Sequence, residues 1–380
     1  MPTSRLLASF PLVGALLAAC QSTNLPEAQS LEFSVQETCE ATPNCFTNIQ
    51  DALNAASALN SSDWKTVSVA AGDYYEKLTI RDAKTRLIGE GIETTRIHYD
   101  AVAETAGKFH RQNWGTAGSA TITVDAEDVH IEGFKIENTF DYISNDKLDN
   151  DDPKRISNSQ AAALLLDIHS DKVYLNKVTL EGYQDTVFAN GKRAFISNSF
   201  ISGNVDFIFG NGQLLIEDSE IQSRRRGQDF EAGEVQSFIA APSTQISDRM
   251  GIVFHTCRLT PEEGLPNHSI TLGRPWHPTT RFPDGRYADP NAIGQAIYIN
   301  TFMDSHIHPD HWSTMNGTAR NGEKTDVFHP EDSRFHEVGS YGPGAKTSFK
   351  GTSYTDFPDM AEINTIMFDD WNEFKNRLDE

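Results

Sequence analysis

From about residue 64 the chain is written in short β-rich runs with turn residues between them. Thr66-Val67-Ser68-Val69 and Ala120-Thr121-Ile122-Thr123-Val124 alternate apolar with polar or small positions, the period of a strand with one face turned inward. Longer runs follow at Val129 to Ile136, Val173 to Leu180, Ala194 to Ile201, Leu214 to Ile221, Gly251 to Leu259 and Gln295 to Met303. Several share one texture: alternating apolar residues, a polar or small pair, then two more apolar residues. The run from Val173 begins 22 residues before the one from Phe195, which begins 20 before the one from Leu215. A repeat of about 20 residues with three short strands predicts a single-stranded right-handed parallel β-helix, because no coil can bury its inner face alone. A β-sandwich would need hairpin signals, and Asn190-Gly191 and Asn211-Gly212 have that form, but the repeat outweighs them. Both ends read as capping helices, with Phe46, Ile49, Leu53 and Ala56 at helical spacing near the start and Trp371, Phe374 and Leu378 near the end.

The N-terminus has a different pattern. Arg5 precedes an apolar stretch, Leu6 to Ala19, that is too short to cross a bilayer as a helix. It ends in Leu17-Ala18-Ala19-Cys20, which resembles a bacterial lipobox and implies diacylglycerol on Cys20. An ordinary signal peptide with an incidental cysteine is the alternative. The expected layout is a signal peptide over 1–19, a membrane tether over 20–33 and one β-helix domain over 34–380. Gln21, where an aspartate would signal retention, implies the outer membrane of a Gram-negative cell. Cys39 and Cys45 lie close together in exported sequence and suit a short-loop disulfide, while Cys257 sits in an apolar run and reads as a buried thiol.

Composition adds two constraints. At 38% hydrophobic and 23% charged the chain can build a core. A formal charge of -22 argues against nucleic acid, which needs a basic footprint.

Two strings carry candidate chemistry: Gly182-Tyr183-Gln184-Asp185-Thr186, and Gly203-Asn204-Val205-Asp206-Phe207-Ile208-Phe209-Gly210. Asp206 follows Asp185 by 21 residues, about one coil, and parallel strands stack about 4.8 Å apart. Carboxylates that close titrate as a pair, one staying anionic as a nucleophile and the other keeping a proton as an acid. Gln160 precedes Gln184 by 24 residues, again about one coil, so two amide donors flank the site. Arg274, in Leu272-Gly273-Arg274-Pro275-Trp276, can hold a carboxylate in a planar fork, and Trp276 offers a face for a sugar ring.

Together these strings resemble the pectin methylesterases, carbohydrate esterase family 8. The matching pieces occur in family order: Gly72-Asp73-Tyr74-Tyr75-Glu76, Gln160-Ala161-Ala162-Ala163-Leu164, the two aspartate strings, and Leu272 to Trp276. Trp114-Gly115-Thr116-Ala117-Gly118 and Ala240-Ala241-Pro242-Ser243-Thr244 are similar to bacterial members. The resemblance implies Asp206 as nucleophile, Asp185 as acid and base, Gln160 and Gln184 as oxyanion donors, and Arg274 as the group that holds Asp206. It further implies that Trp276, Phe209, Met303 and Thr116 contact the sugar chain of homogalacturonan, with no metal or organic cofactor, and a monomer is expected. The acidic charge fits a neutral, methyl-esterified stretch better than ionised polygalacturonate.

The chain departs from its relatives at Val187-Phe188, where Leu-Tyr is commoner, which removes a hydroxyl from the groove. Asp100–Asn113 has the length of a loop that could obstruct the groove. Two rival readings stand: a β-helix esterase or thioesterase of the envelope with another substrate, and a non-catalytic polysaccharide-binding protein. Asp304-Ser305-His306-Ile307-His308-Pro309-Asp310-His311 has the look of a metal cluster but reads as a polar loop at a coil end, and Arg224-Arg225-Arg226 as a solvated turn.

Overall fold

Alternating apolar residues can be buried only if each short run has neighbours above and below it, and three parallel sheets provide them. The computed structural model describes residues 30–39, 43–231, 233–372 and 374. From Leu31 onward the chain forms one unit. One coil shows the construction: Asp171–Asn176 lies in the first sheet, Thr179–Glu181 in the second, Val187–Ala189 in the third, and Arg193–Ser197 returns to the first. Among the described residues the sheets hold eleven, eight and seven strands, and adjacent coils pair in parallel. This is a parallel β-helix.

Inside it, like positions stack into columns. Leu175, Ile196, Ile216, Phe254 and Tyr298 follow one another in register across the first sheet, all within the core. Phe254 and Tyr298 stack at 4.3 Å between ring centroids, and the Tyr298 hydroxyl donates to the Leu272 carbonyl at 2.8 Å. That bond satisfies a hydroxyl that would otherwise be costly so far from water.

The polar pair inside each long run is a corner. Each run divides there into a first-sheet strand and a second-sheet strand. Lys177, Asn198, Asp218, Thr256 and Asn300 hold the corner with φ between 48° and 53°. Serines tie the corners together: Val178 N–H donates to Ser199 Oγ, and Ser199 N–H donates to Ser219 Oγ, each at 3.1 Å. Asn190-Gly191 and Asn211-Gly212, hairpin-like in sequence, are instead corners between the third sheet and the first.

A helix at Ile49–Ala58 caps the N-terminal end, burying Ile49, Ala52, Leu53 and Ala56. Glu76 receives the N–H groups of Ile49 and Gln50 at 2.9 and 3.1 Å, placing an anion where the helix start has unpaired donors. Phe46 lies outside this helix, in the strand Cys45–Phe46, and Cys39 and Cys45 are disulfide-bonded. Cys257 is buried, which pushes its thiol pKa up to about 12.

The C-terminal helix differs from its expected position. It runs Met360–Phe368, capped by Asp359, whose carboxylate accepts from Glu362 N–H at 2.9 Å. Trp371 and Phe374 follow it, and Leu378 lies outside the described residues. The helical spacing of the aromatics reflects packing on one surface: with Ile363, Met367 and Phe368 they cover Phe195, Leu215, Val253 and Ile297 on the outer face of the first sheet. Glu32 and Phe33, expected in the tether, open the strand Glu32–Val35, which pairs with Lys65–Val69. The signal segment and Cys20 lie outside the described residues.

Candidate active site

The third sheet brings the two aspartates together by register. Val187 pairs with Ile208, so residues 21 apart are neighbours there, and Asp185 and Asp206 occupy equivalent positions on adjacent coils. Asp206 lies where the ladder slips: Val205 pairs with Phe238 but Ile208 pairs with Ala240. Such a bulge redirects a side chain out of the strand's alternation. Both aspartates sit in left-handed backbone, φ 66° at Asp185 and 52° at Asp206, a conformation that aspartate tolerates better than most residues. Both line one cleft of about 250 Å³.

Their surroundings differ. Arg274 leaves the strand Ile270–Gly273 and grips Asp206 in a fork, Nε to Oδ1 at 2.8 Å and Nη2 to Oδ2 at 2.6 Å. The guanidinium lies 3.8 Å from the centre of the Phe238 ring, which fixes its plane. Asp185 is 8% exposed. Burial, reinforced by the neighbouring charge of Asp206 and only partly opposed by Arg274, raises its pKa well above the ordinary carboxylate value. The pair is thereby divided into a carboxylate fixed by a cation and an acid that keeps its proton.

Two amides face the same cleft. Gln184 Oε1 accepts from Ser159 Oγ at 3.0 Å, which leaves the amide NH₂ for the cleft. Gln160 Oε1 is buried with no hydrogen-bond partner among the described residues. The residue as a whole is half-buried and lines the cleft, so its NH₂ group can be offered to a ligand there. The turn carrying Gln184 and Asp185 is clamped from outside. Arg224 lies 3.8 Å from the centre of the Tyr183 ring and donates to Gly182 O at 3.0 Å and Tyr183 OH at 2.7 Å. Tyr142 stacks on the same ring at 5.3 Å. Arg226 is tied to Asp146 at 2.8 and 2.7 Å, so the arginine run is mostly structural.

Of the residues expected to meet a sugar chain, Thr116, Phe209 and Trp276 line the cleft with Gln160, Gln184, Asp185, Asp206 and Arg274. Met303 does not. It is 0% exposed, in the core beneath the second sheet, and so cannot touch a ligand in the cleft. Met315, in the strand Met315–Gly317, lines the cleft instead, as do Trp114 and Lys324. Phe188 is fully buried, stacked on Phe209 at 4.2 Å with Trp114 edge-on at 5.1 Å, so its ring builds the floor beneath the aromatics. Asp100–Asn113 contributes nothing to the cleft lining. It folds into the helix Ala103–Ala106 and the turn Gly107–Phe109, packed so tightly on Gly115–Ser119 that a Cβ on Gly118 would lie 2.0 Å from Ala106 O.

In the histidine-rich segment, His306 and His311 are buried, and His311 bonds Glu337 at 2.7 Å and Gly344 O at 2.9 Å. Among the described residues no group of three or more His, Cys, Asp or Glu is placed to hold a metal ion.

A carboxylate gripped by a guanidinium, a second carboxyl of raised pKa and two amides around one cleft are the groups that acyl transfer requires. The raised pKa of Asp185 also has a cost to stability. Below the ordinary carboxylate value of 3.8 both folded and unfolded states hold the proton. Above it only the unfolded state releases it, so stability falls until the folded pKa is passed. Asp185→Asn has no such proton. Thermal melts are expected to show it matching the wild type in acid and melting progressively higher as pH rises above that value.

The pectinesterase family model matches residues 38–355. Pectinesterase A of Dickeya dadantii is 40% identical over 329 residues, covering 86% of this chain and 87% of the relative. The solved pectin methylesterase of Erwinia chrysanthemi aligns with a TM-score of 0.79 and 38% identity over 90% of this chain and 98% of its own. A pectin methylesterase crystallised with a hexasaccharide gives 0.80 at 38% identity over the same shares, 90% and 98%. With a family match over most of its length and relatives this similar along nearly their whole chains, the protein belongs to the pectinesterase family.

Proposed function

We infer that the protein is a carboxylic ester hydrolase that removes methyl groups from the galacturonate esters of homogalacturonan, giving pectate and methanol. The observation that carries the reading is the division of the aspartate pair: Asp206 forked to Arg274, and Asp185 buried with a raised pKa beside it. In the first step an Asp206 oxygen bonds to the ester carbonyl carbon, and the carbonyl oxygen takes the negative charge within reach of the Gln160 and Gln184 amides. The carbon–methoxy bond then breaks as Asp185 gives its proton to the leaving oxygen, and methanol departs. Asp185, now a carboxylate, takes a proton from water as the water oxygen attacks the same carbon. Asp206 leaves as a carboxylate, back in its fork with Arg274, and the sugar leaves as an acid.

A polymer fits the cleft's surroundings. Trp114 and Trp276 present partly buried rings beside the dyad, and the segment 100–113 is folded back. The net charge of -22 favours an esterified over an ionised stretch of chain. At the N-terminus, Leu17-Ala18-Ala19-Cys20 supports a lipid-anchored form in the outer membrane of a Gram-negative cell. Mass spectrometry of the mature N-terminus should find Cys20 first and carrying a diacylglyceryl group; cleavage elsewhere would dismiss the anchor.

Asp206→Asn is expected to abolish methanol release from highly esterified pectin while the protein still melts cooperatively; retention of most activity would refute the assigned nucleophile. Arg224→Ala should act on chemistry rather than binding, because Arg224 holds the turn behind Asp185 and is not part of the cleft lining. Its kcat should fall about tenfold or more with little change in KM, since small misplacements of reacting groups are costly.

A further inference from the structure

Residues 157–160 carry one amide of the cleft and touch the other, yet they belong to no helix or strand. Their backbone groups must therefore find partners outside the ladders of the three sheets. Residues 103 and 104 supply them. Ala103 N–H donates to Gln160 O at 2.9 Å, and Glu104 N–H donates to Asn158 O at 3.1 Å. In return one oxygen of the Glu104 carboxylate, Oε2, accepts from Ser157 N–H at 2.9 Å and from Asn158 N–H at 3.2 Å. The support beneath Glu104 is rigid. Its helix, Ala103–Ala106, is pressed so closely on Gly115–Ser119 that a Cβ on Gly115 would lie 2.1 Å from Ala103 O. The Nδ2 of buried Asn138 lies within 3.1 Å of the carbonyls of Ala101, Ser119 and Ala162. Further along the segment, His110 Nε2 lies 3.2 Å from Asp167 Oδ2, which Arg111 also reaches.

Between these ties sits Ser159, whose hydroxyl donates to Gln184 Oε1 at 3.0 Å. The last torsion of a glutamine side chain is broad and two-fold, so nothing in Gln184 itself chooses which end of its amide faces the cleft. With the oxygen held by Ser159, the NH₂ group faces it. With the oxygen released, the amide can turn and present a lone pair where a developing oxyanion needs a donor. The direction of the Gln184 dipole therefore depends on where the backbone of residues 157–160 holds one hydroxyl.

We propose that Glu104 is a positioning residue for the reaction: its carboxylate fixes residues 157–160, and through them both the Gln160 amide and, by way of Ser159, the Gln184 amide. This rests on the esterase reading, in which those two amides meet the oxyanion. Glu104 is exposed and forms no part of the cleft lining, so it acts only through the residues it holds. The segment whose length suggested an obstruction is thereby given a different part, as the support of the oxyanion donors.

The test measures kcat and KM for methanol release from highly esterified pectin by wild type, Glu104→Ala, Glu104→Gln and Ser159→Ala. In Glu104→Ala, kcat should fall about tenfold with KM nearly unchanged, less than the loss of a whole oxyanion donor because the amides are misplaced and not removed. Glu104→Gln should recover most of the rate, since its amide oxygen can take the same two N–H groups. Ser159→Ala should lower kcat by itself and have no further effect in Gln184→Ala, where no amide remains to be turned. The proposal is overturned by an unchanged kcat in Glu104→Ala, by a loss carried in KM, or by a Glu104→Gln variant as slow as Glu104→Ala. Additive losses in the Ser159→Ala, Gln184→Ala double variant overturn it as well. Each of these outcomes leaves the esterase reading standing, whereas no methanol from the wild type overturns both.

Discussion

Strands of a parallel sheet lie about 4.8 Å apart, and a helix of coils repeats that spacing along its whole length. Any two residues one coil apart at the same position are therefore forced into contact, whatever their charge. At most positions the constraint stacks aliphatic on aliphatic, as in the column from Leu175 to Phe254. At Asp185 and Asp206 it presses two carboxyls together, and the rest of the site answers that repulsion. Arg274 settles it by pairing with one of them, which leaves the other to keep its proton in a place with little water.

The fold spends stability to hold this arrangement. A left-handed backbone costs an ordinary residue about 1–2 kcal/mol, and both aspartates adopt one. An acid that holds its proton more tightly in the fold than in the unfolded chain adds a further cost above the ordinary carboxylate pKa. The compensation is nearby: Arg224 and Tyr142 on the Tyr183 ring, Phe238 under Arg274, and the stacked pair Phe188 and Phe209 below the dyad. These contacts serve geometry, and all but Phe209, which itself lines the cleft, lie one step behind a group of the cleft.

Much of this was legible in the sequence because coil spacing converts a residue count into a contact. Asp185 and Asp206 could be paired by a separation of 21, and the polar pairs could be seen as interruptions, though not as left-handed corners. What failed to show is what lies in turns of irregular length. The resemblance implies a sugar contact at Met303, but strand parity turns it into the core, and Met315 reaches the cleft from a hairpin that no repeat predicts. Ser159 precedes Gln160 without any periodic signal, yet its hydroxyl sets the Gln184 amide. The arginine run concealed three different fates, since local charge cannot tell a stacked guanidinium from a solvated one.

The corner between the first and second sheets is two residues long at Lys177-Val178, Asn198-Ser199, Asp218-Ser219, Cys257 with Thr256, and Asn300-Thr301. Left-handed backbone and bridging serines hold these corners short, while the same corner between Thr85–Gly89 and Thr95–Tyr99 takes the five residues 90–94. The longest connections enter at the other two corners, and both of those border the third sheet. The long segments 100–121, 139–163, 274–294 and 304–333 all do so. A chain built this way lengthens most where its catalytic face will be affected. Its relatives would be expected to diverge in the rim of the cleft more than along the opposite edge, so that new substrate preferences arise by changing turns and leave the coils that fold the molecule untouched.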